Sequence, residues 1–428
     1  MQETPTLCRA RSSTPEPRSD VYLRYSNDTV AQPNVDASLK ASIDKHESYI
    51  KADPHNAPLW VALGDLYHRA GRFEEAIASF ERSLMEAPQA SAAKSRIASV
   101  QISQHRFPEA EAMLRELLRE EPQSAALAYN LGLAQFYQDK WREAQASFDR
   151  ALSLGLKSRD SYAYLTRSLH HLGRTREAIE SCEQWLAQSP DDQARAYLSL
   201  LEMDEGNMAR AHELAQEVLA RDPENLNAST VAGSYSVEQQ DMDAAERFFN
   251  NVLRREPDSG RAWLGMGLVH LYQQKHAEAV AALEKAVQLM PAHAGTVVAL
   301  GWARLAARDA RGAERTFREA VAVDRNFAEA HGGLASALAL QGRVDEARQA
   351  VRHARGLDRA NFGGRFAQAV LLVIHGKKER AQELLANVLQ QAPAKGAQPL
   401  IEHLRVYGAK QLSKAPPPRS GAPDGGRR

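Results

Sequence analysis

Apolar residues in this chain return on a helical beat. Trp60, Leu63 and Tyr67 fall three and four positions apart, which places them on one face of a helix. Gly71 follows, a residue type that takes the left-handed conformation at a helix end without steric cost. Phe73, Ala76, Ile77, Phe80 and Leu84 then form a second stripe, and Pro88 marks a point where that helix has already stopped. The segment therefore predicts two amphipathic helices joined by a tight turn. Gly64 and Ala76 are small enough for the pair to approach closely, while Trp60, Tyr67 and Phe80 fill the volume around them.

The same pattern runs along most of the chain. Positions equivalent to Ala76 are Ala110, Ala144, Ala178, Ala211, Ala245, Ala279, Ala313, Ala347 and Ala381, spaced by 34 residues with a single step of 33. Proline keeps a parallel beat at Pro54, Pro88, Pro122, Pro190, Pro223, Pro257, Pro291 and Pro393, and lapses at Leu156, Arg325 and Arg359. The turn glycine recurs as Gly173, Gly206, Gly342 and Gly376. One such unit cannot bury its own apolar stripe, so the units must stack on one another.

The spacing, together with "WVALGDLY", "EEAIASF" and "EAP" in the first unit, resembles the tetratricopeptide repeat family. Later copies read "YNLGLAQF" with "EAQASF", "WLGMGLVHLY" with "EAVAAL", and "VALGWARL" with "GAERTF". The resemblance covers 57–393, ten units. It implies an all-α fold, a right-handed α-α superhelix (solenoid) of antiparallel helix pairs whose first helices line a concave groove. Two units depart from the pattern. In the fourth, Thr166 stands where a small glycine is usual. In the ninth, Gly332 and Gly333 weaken a first helix by about 1 kcal/mol each relative to alanine.

The edges are legible as well. Residues 37–56 carry Leu39, Ile43 and Ile50 on one face and predict an N-terminal capping helix ahead of the repeats at 57–396. Residues 397–412, with Leu400, Leu404 and Tyr407, predict a C-terminal cap. The polar stretch 1–36 and the Pro/Gly-rich stretch 413–428 read as disordered tails.

Composition narrows the class of partner. Lys plus Arg equals Asp plus Glu at 54 each, so no global charge favours a polyanion or an anionic membrane. Two cysteines, Cys8 and Cys182, are too few for a disulfide framework and fit a reducing compartment. The longest apolar run, "AVLLVI" at 369–374, is a third of the roughly 18 residues a membrane span needs. The N-terminus lacks the apolar core of a secretory signal, so the expected location is cytoplasmic. The Ala/Arg-rich style suggests a bacterium of high GC content.

Candidate chemistry is sparse. "GMG" at 265–267 lies inside a first helix with no preceding strand, and no P-loop, HExxH, GxSxG or CxxC occurs. His170 and His171 are adjacent and diverge by about 100° on a helix, so they cannot chelate one ion without further ligands. Cys182 reads as a small buried hydrophobe and Cys8 as incidental. No catalytic, cofactor-binding or metal site is expected, and the chain is not expected to be an enzyme.

A partner site is expected instead. The resemblance implies that positions five, nine, twelve and thirteen of each unit face the groove. Unit one then offers Asp65, His68 and Arg69; unit three Tyr129, Leu133, Phe136 and Tyr137; unit four Arg167, His170 and His171. Unit seven offers Leu264, Leu268, Leu271 and Tyr272; unit eight Val298, Trp302 and Leu305; unit ten Phe366, Val370 and Val373. The apolar lining predicts a groove for a protein or peptide segment, above all in units seven and eight, with Trp302 as an anchor. The competing reading packs these side chains against neighbouring first helices. The Lys, Arg and Asn clamp by which some relatives hold acidic chaperone C-termini is not matched, since only scattered residues such as Asn130 agree.

The segment after Pro393 carries seven Lys/Arg against two acids and reads as a solvated basic tail. An apolar groove argues against an RNA reader, so no nucleic-acid partner is expected. The expected function is a non-catalytic scaffold or chaperone-like adaptor. By analogy with the family in bacteria, it would serve secretion, pilus or envelope-polysaccharide assembly. Alternatives are a ligand- or peptide-responsive regulator and an accessory subunit that recruits substrate for a separately encoded enzyme. The sequence leaves the oligomeric state open.

Overall fold

A computed structural model describes residues 37–188 and 191–391. Among these residues the backbone forms 21 helices and no strand. The expected C-terminal cap at 397–412, both tails and the last residues of the tenth repeat lie outside the described residues. Two units divide the chain, with the boundary between Leu201 and Glu202.

In the N-terminal unit, α1 (Ala37–Ala52) precedes four helix pairs. These are α2 (Ala57–Arg69) with α3 (Phe73–Glu86), α4 (Ser91–Ser103) with α5 (Phe107–Glu120), α6 (Ala125–Phe136) with α7 (Trp141–Ser153), and α8 (Arg159–His171) with α9 (Thr175–Gln188). The helix α10 (Asp192–Glu205) belongs to this unit through Leu201. Ile43 and Ile50 of α1 are buried with Leu63, Tyr67 and Phe80, so the first pair has an apolar neighbour on each side.

The C-terminal unit takes up at Glu202 and continues with α11 (Met208–Leu219), then the pairs α12 (Leu226–Glu238) with α13 (Met242–Arg255) and α14 (Gly260–Tyr272) with α15 (His276–Leu289). It goes on through α16 (Ala294–Ala306) with α17 (Ala310–Val323), α18 (Ala328–Leu340) with α19 (Val344–Leu357), and α20 (Phe362–Ile374) with α21 (Lys378–Gln391). Within each unit every first helix lies beside the next first helix. Thus α2, α4, α6 and α8 form one row, and α12, α14, α16, α18 and α20 form another.

A size rule sets how each pair closes. A β-carbon on Gly64 would sit 2.5 Å from the Phe80 ring, and the same relation joins Gly132 to Phe148, Gly233 to Phe249 and Gly301 to Phe317. The missing side chain on one helix makes the space for the ring on the other. Thr166 obeys this rule in reverse: its partner position holds Cys182, small enough to leave room for a threonine. The Thr166 hydroxyl, fully buried, donates to Ser181 Oγ at 3.0 Å.

Local capping fixes where each pair begins. Asn56, Ser124, Ser158 and Asn225 each accept a hydrogen bond from the backbone amide three residues on, which satisfies a donor the helix leaves open. Trp60 Nε1 donates to the Pro54 carbonyl at 2.9 Å, and Trp263 repeats the bond to Pro257 at 2.7 Å. His331 holds the same position in the ninth unit and donates to the Arg325 carbonyl at 2.9 Å, where proline has lapsed. The inter-helix turn takes positive φ at Gly71, but also at His105, Asp139, Gln240, Gln274 and Arg308, so the turn survives without glycine.

Gly332 and Gly333 turn out to have a packing purpose. The helices α18 and α20 approach so closely that a β-carbon on Gly363 would stand 2.5 Å from the Gly332 carbonyl carbon. Ser336 Oγ donates across this contact to the Gly363 carbonyl at 2.8 Å. The propensity cost of glycine in α18 is therefore offset by helix–helix contact that no larger residue permits.

Candidate functional site

The helices α6, α8 and α10 carry a band of partly exposed aromatic and charged side chains. Ser158 caps α8 and the buried Thr166–Ser181 bond fixes its inner side, which leaves Tyr164 and Arg167, one turn apart, on the opposite face. Tyr164 Oη lies 2.9 Å from Tyr137 Oη. Burial, with Tyr137 and Tyr129 close by, pushes the Tyr164 hydroxyl well above the ordinary phenol range, so it stays a neutral donor or acceptor. His170 Nδ1 lies 2.8 Å from Tyr197 Oη of α10.

The Arg167 guanidinium sits 5.5 Å from the Tyr164 ring centre and 6.0 Å from that of Tyr197. Two aromatic faces thus hold one cation in place. Its Nε is buried and has no acceptor.

The other residues singled out for unit three and unit four are placed differently. Phe136 is buried and packs edge-on against Trp141 and Tyr164 at ring separations of 5.0 and 5.2 Å. His171 stacks flat on Trp141 at 3.9 Å and 3°, so it is engaged between the third and fourth repeats. Tyr129, Leu133 and Tyr137 remain half-exposed. In unit one, Asp65 pairs with Arg96 at 2.8 Å and His68 Nε2 lies 2.9 Å from Ser103 Oγ. Burial lowers the His68 pKa, which keeps that ring neutral, and Arg69 is exposed.

Units eight and ten correct the expectation of an open apolar groove, while unit seven keeps part of its lining accessible. In unit seven Leu264, Leu268 and Tyr272 are half-exposed, as Tyr129, Leu133 and Tyr137 are, and Leu271 is buried. Burial beside Glu238 pushes the Tyr272 hydroxyl up to about 12. Val298, Trp302 and Leu305 in unit eight are buried, as are Phe366, Val370 and Val373 in unit ten. Trp302 is only 3% exposed and meets the rings of Phe317, Phe362 and Phe366 at 5.5, 5.5 and 6.5 Å. The reason is the glycine contact between α18 and α20, which draws α20 inward until its phenylalanines reach a tryptophan two repeats away. The expected anchor is core.

Sequence reasoning missed Tyr164 and Tyr197 as parts of the α6–α8–α10 band, and Trp141 of α7 as the ring on which His171 stacks. Tyr164 was detectable, since it stands three residues before Arg167 on the same helix face. Tyr197 holds the same place in the fifth unit, 33 residues on, and both tyrosines sit at position six, outside the positions five, nine, twelve and thirteen that the resemblance assigns to the groove.

Among the described residues no group of three or more His, Cys, Asp or Glu side chains is placed to hold a metal ion. No helix among them is long and apolar enough to cross a membrane. Burial pushes the Cys182 thiol up to about 12, and Sγ donates to the Ala194 carbonyl at 3.4 Å, so it is an unreactive core residue.

With the repeat geometry in place, family models described as "Tetratricopeptide repeat" match residues 39–99, 67–135, 129–193, 198–250, 232–294 and 298–362. The chain belongs to the tetratricopeptide repeat family, a class of α-α solenoids that serve as scaffolds for protein interactions. It is 31% identical over 190 residues to cellulose synthase operon protein C of Xanthomonas axonopodis pv. citri (strain 306), a match covering 42% of this chain and 12% of that one. It is 29% identical over 139 residues to the cell division cycle protein 27 homolog of Caenorhabditis elegans, covering 31% of this chain and 17% of that one. The matched stretches span less than a fifth of either relative. The crystal structure of the APC/C hetero-tetramer Cut9–Hcn1 aligns with a TM-score of 0.55 at 14% identity, over 88% of this chain and 83% of that one. That likeness concerns the fold alone.

Proposed function

We propose that this protein is a non-catalytic scaffold that holds segments of partner proteins on the first-helix face of α6, α8 and α10. The observation that carries this reading is the half-exposed band of Tyr129, Leu133, Tyr137, Arg167 and Tyr197, side chains placed on the face that neighbouring first helices share. The equivalent face of α16, α18 and α20 is filled by its own aromatic residues. Leu264, Leu268 and Tyr272 of α14 are half-exposed too, but it is on α8 that a cation is held between two rings, so recognition is assigned to the N-terminal unit. Assembly of a cell-envelope polysaccharide system in a bacterium is the setting we propose. It is supported by the 31% identity with a protein named for a cellulose synthase operon.

Photo-crosslinking tests the reading. A benzophenone residue replaces Leu133 or Tyr197 in the full chain, with Met85 on the exposed side of α3 as a control position. The reading expects discrete partner adducts from the first two positions and none from the third. Equal adducts at all three, or none at any, would end it. Adducts with components of a polysaccharide synthase would support the proposed setting, and adducts confined to unrelated proteins would remove it.

A further inference from the structure

Arg167 differs from the other arginines around it. Arg159 pairs with Asp191 at 3.0 Å, Arg174 with Glu177 at 2.6 Å and Arg195 with Asp192 at 2.8 Å. Among the described residues Arg167 has no carboxylate partner, although it is only half-exposed and its Nε is buried without an acceptor. The two tyrosine faces restrain the guanidinium but accept none of its N–H groups. A desolvated cation with open donors is costly until an anion completes it. A cation already fixed by its neighbours also loses little freedom when that anion arrives.

The shape and charge of the surroundings select the anion. A planar guanidinium fork matches a carboxylate or a phosphate. Phosphate groups, with close to two charges, are recognised by clusters of arginines. Here one cation lies against Tyr164 and Tyr197, Tyr137 meets Tyr164 through its hydroxyl, and Leu133 stands one turn before Tyr137 on α6, which suits one carboxylate flanked by apolar side chains. The row of helices continues past α8 on both sides, to α6 and to α10, so the bound chain has room to run beyond the charge in either direction. That favours an internal Asp or Glu over a C-terminal carboxylate.

Resting on the scaffold reading above, we propose that this face binds an acidic peptide segment of a partner protein. One internal Asp or Glu carboxylate seats on Arg167 between Tyr164 and Tyr197, and neighbouring apolar side chains of the segment lie on Leu133 and Tyr137. The site is specific for a carboxylate at one position in an otherwise apolar stretch, which differs from a general attraction of acidic protein to a basic surface.

Selection of a random dodecapeptide phage library on the immobilised full chain tests this, with Arg167→Gln selected in parallel. The wild type is expected to enrich peptides with Asp or Glu at one fixed place beside apolar residues, and the variant to lose that preference. A synthetic peptide of the enriched sequence, with its acid changed to the amide, should bind about tenfold or more weakly to the wild type. The same change should have little effect on binding to Arg167→Gln. The peptide-side change keeps the test valid even if the protein variant folds poorly. Enriched peptides without a fixed acid, or acid-dependent binding that Arg167→Gln preserves, would overturn the proposal and leave the scaffold reading standing. Loss of binding on C-terminal amidation, or a tighter phosphoserine version of the peptide, would overturn it in favour of a terminal carboxylate or a phosphate. Peptides that a Leu133→Asp chain competes as well as the wild type does would remove the scaffold reading and this proposal together.

Discussion

Gly363 of α20 lies against Gly332 of α18 so closely that a β-carbon on Gly363 would stand 2.5 Å from the Gly332 carbonyl carbon and 2.7 Å from the Gly333 nitrogen. Both neighbours are backbone, which cannot rotate aside as a side chain would. Gly363→Ala is therefore expected to destabilise the C-terminal unit by about 3 kcal/mol, at the upper end of overpacking costs. Gly356, exposed in the last turn of α19, has nothing within 4 Å of its β-carbon position, and Gly356→Ala should stabilise by about 0.5 to 1 kcal/mol. Urea unfolding followed by circular dichroism reads both. Equal effects of the two substitutions would mean that the α18–α20 contact is not tight.

Glu329 occupies the same joint and makes it sensitive to pH. Its carboxylate accepts from the Phe362 amide at 3.1 Å, at the start of α20. Burial pushes its pKa from 4.5 up to about 7, with Asp358 adding to the rise, while the amides of Phe362 and Gly363 and the Asn361 side chain pull the other way. The folded state then holds the proton more tightly than the unfolded chain. The resulting stability is present in full below the unfolded value, near 4.5, and is lost as pH rises through about 7. The stability of the C-terminal unit, and with it the unfolding midpoint, should fall between about pH 5 and about pH 8, the stability by on the order of 2 kcal/mol. Glu329→Gln should flatten that slope. A midpoint that rises over the same range would contradict the assignment.

The sequence showed the repeat and hid the occupancy of its faces, for a physical reason. Period and residue size report on contacts within a pair, so Gly64 against Phe80 was legible from one unit. The capping stripe of Ile43 and Ile50 was visible in the same way. Whether a first-helix side chain such as Trp302 is open depends on residues two repeats away, here Phe362 and Phe366, and on the glycines between that allow the approach. Spacing within a unit carries no information about that. Turns were half legible: glycine marked some of them, while His105, Asp139 and Arg308 adopt the same left-handed backbone with no compositional sign.

Those turns offer a direct measurement of backbone strain. Gln274 holds φ at 59° at the turn between α14 and α15, and its side chain is exposed. A left-handed backbone costs a non-glycine residue about 1 to 2 kcal/mol, and glycine gives part of this back through greater freedom in the unfolded chain. Gln274→Gly is expected to raise stability by about 0.5 to 1 kcal/mol. A thermal melt that drops with this substitution would show that the turn is held by the glutamine side chain itself.

Trp302 gives the sharpest separation between recognition and packing. Its ring is 3% exposed and touches α17 through Phe317 and α20 through Phe362 and Phe366. Truncation removes a large apolar surface and leaves a cavity that the glycine-fixed helices α18 and α20 cannot close by moving together. Trp302→Ala should therefore cost about 3 to 5 kcal/mol of stability. Trp302→Phe, which keeps an aromatic ring at the junction, should cost less than half of that. Neither change touches the α6–α8–α10 face, so affinity for a peptide selected on that face should stay the same at temperatures where the variant remains folded. Calorimetry on the same preparation, set beside its melting curve, reads both quantities. Lost affinity at an unchanged melting temperature would return Trp302 to the role of groove anchor and place a second binding face on the C-terminal unit.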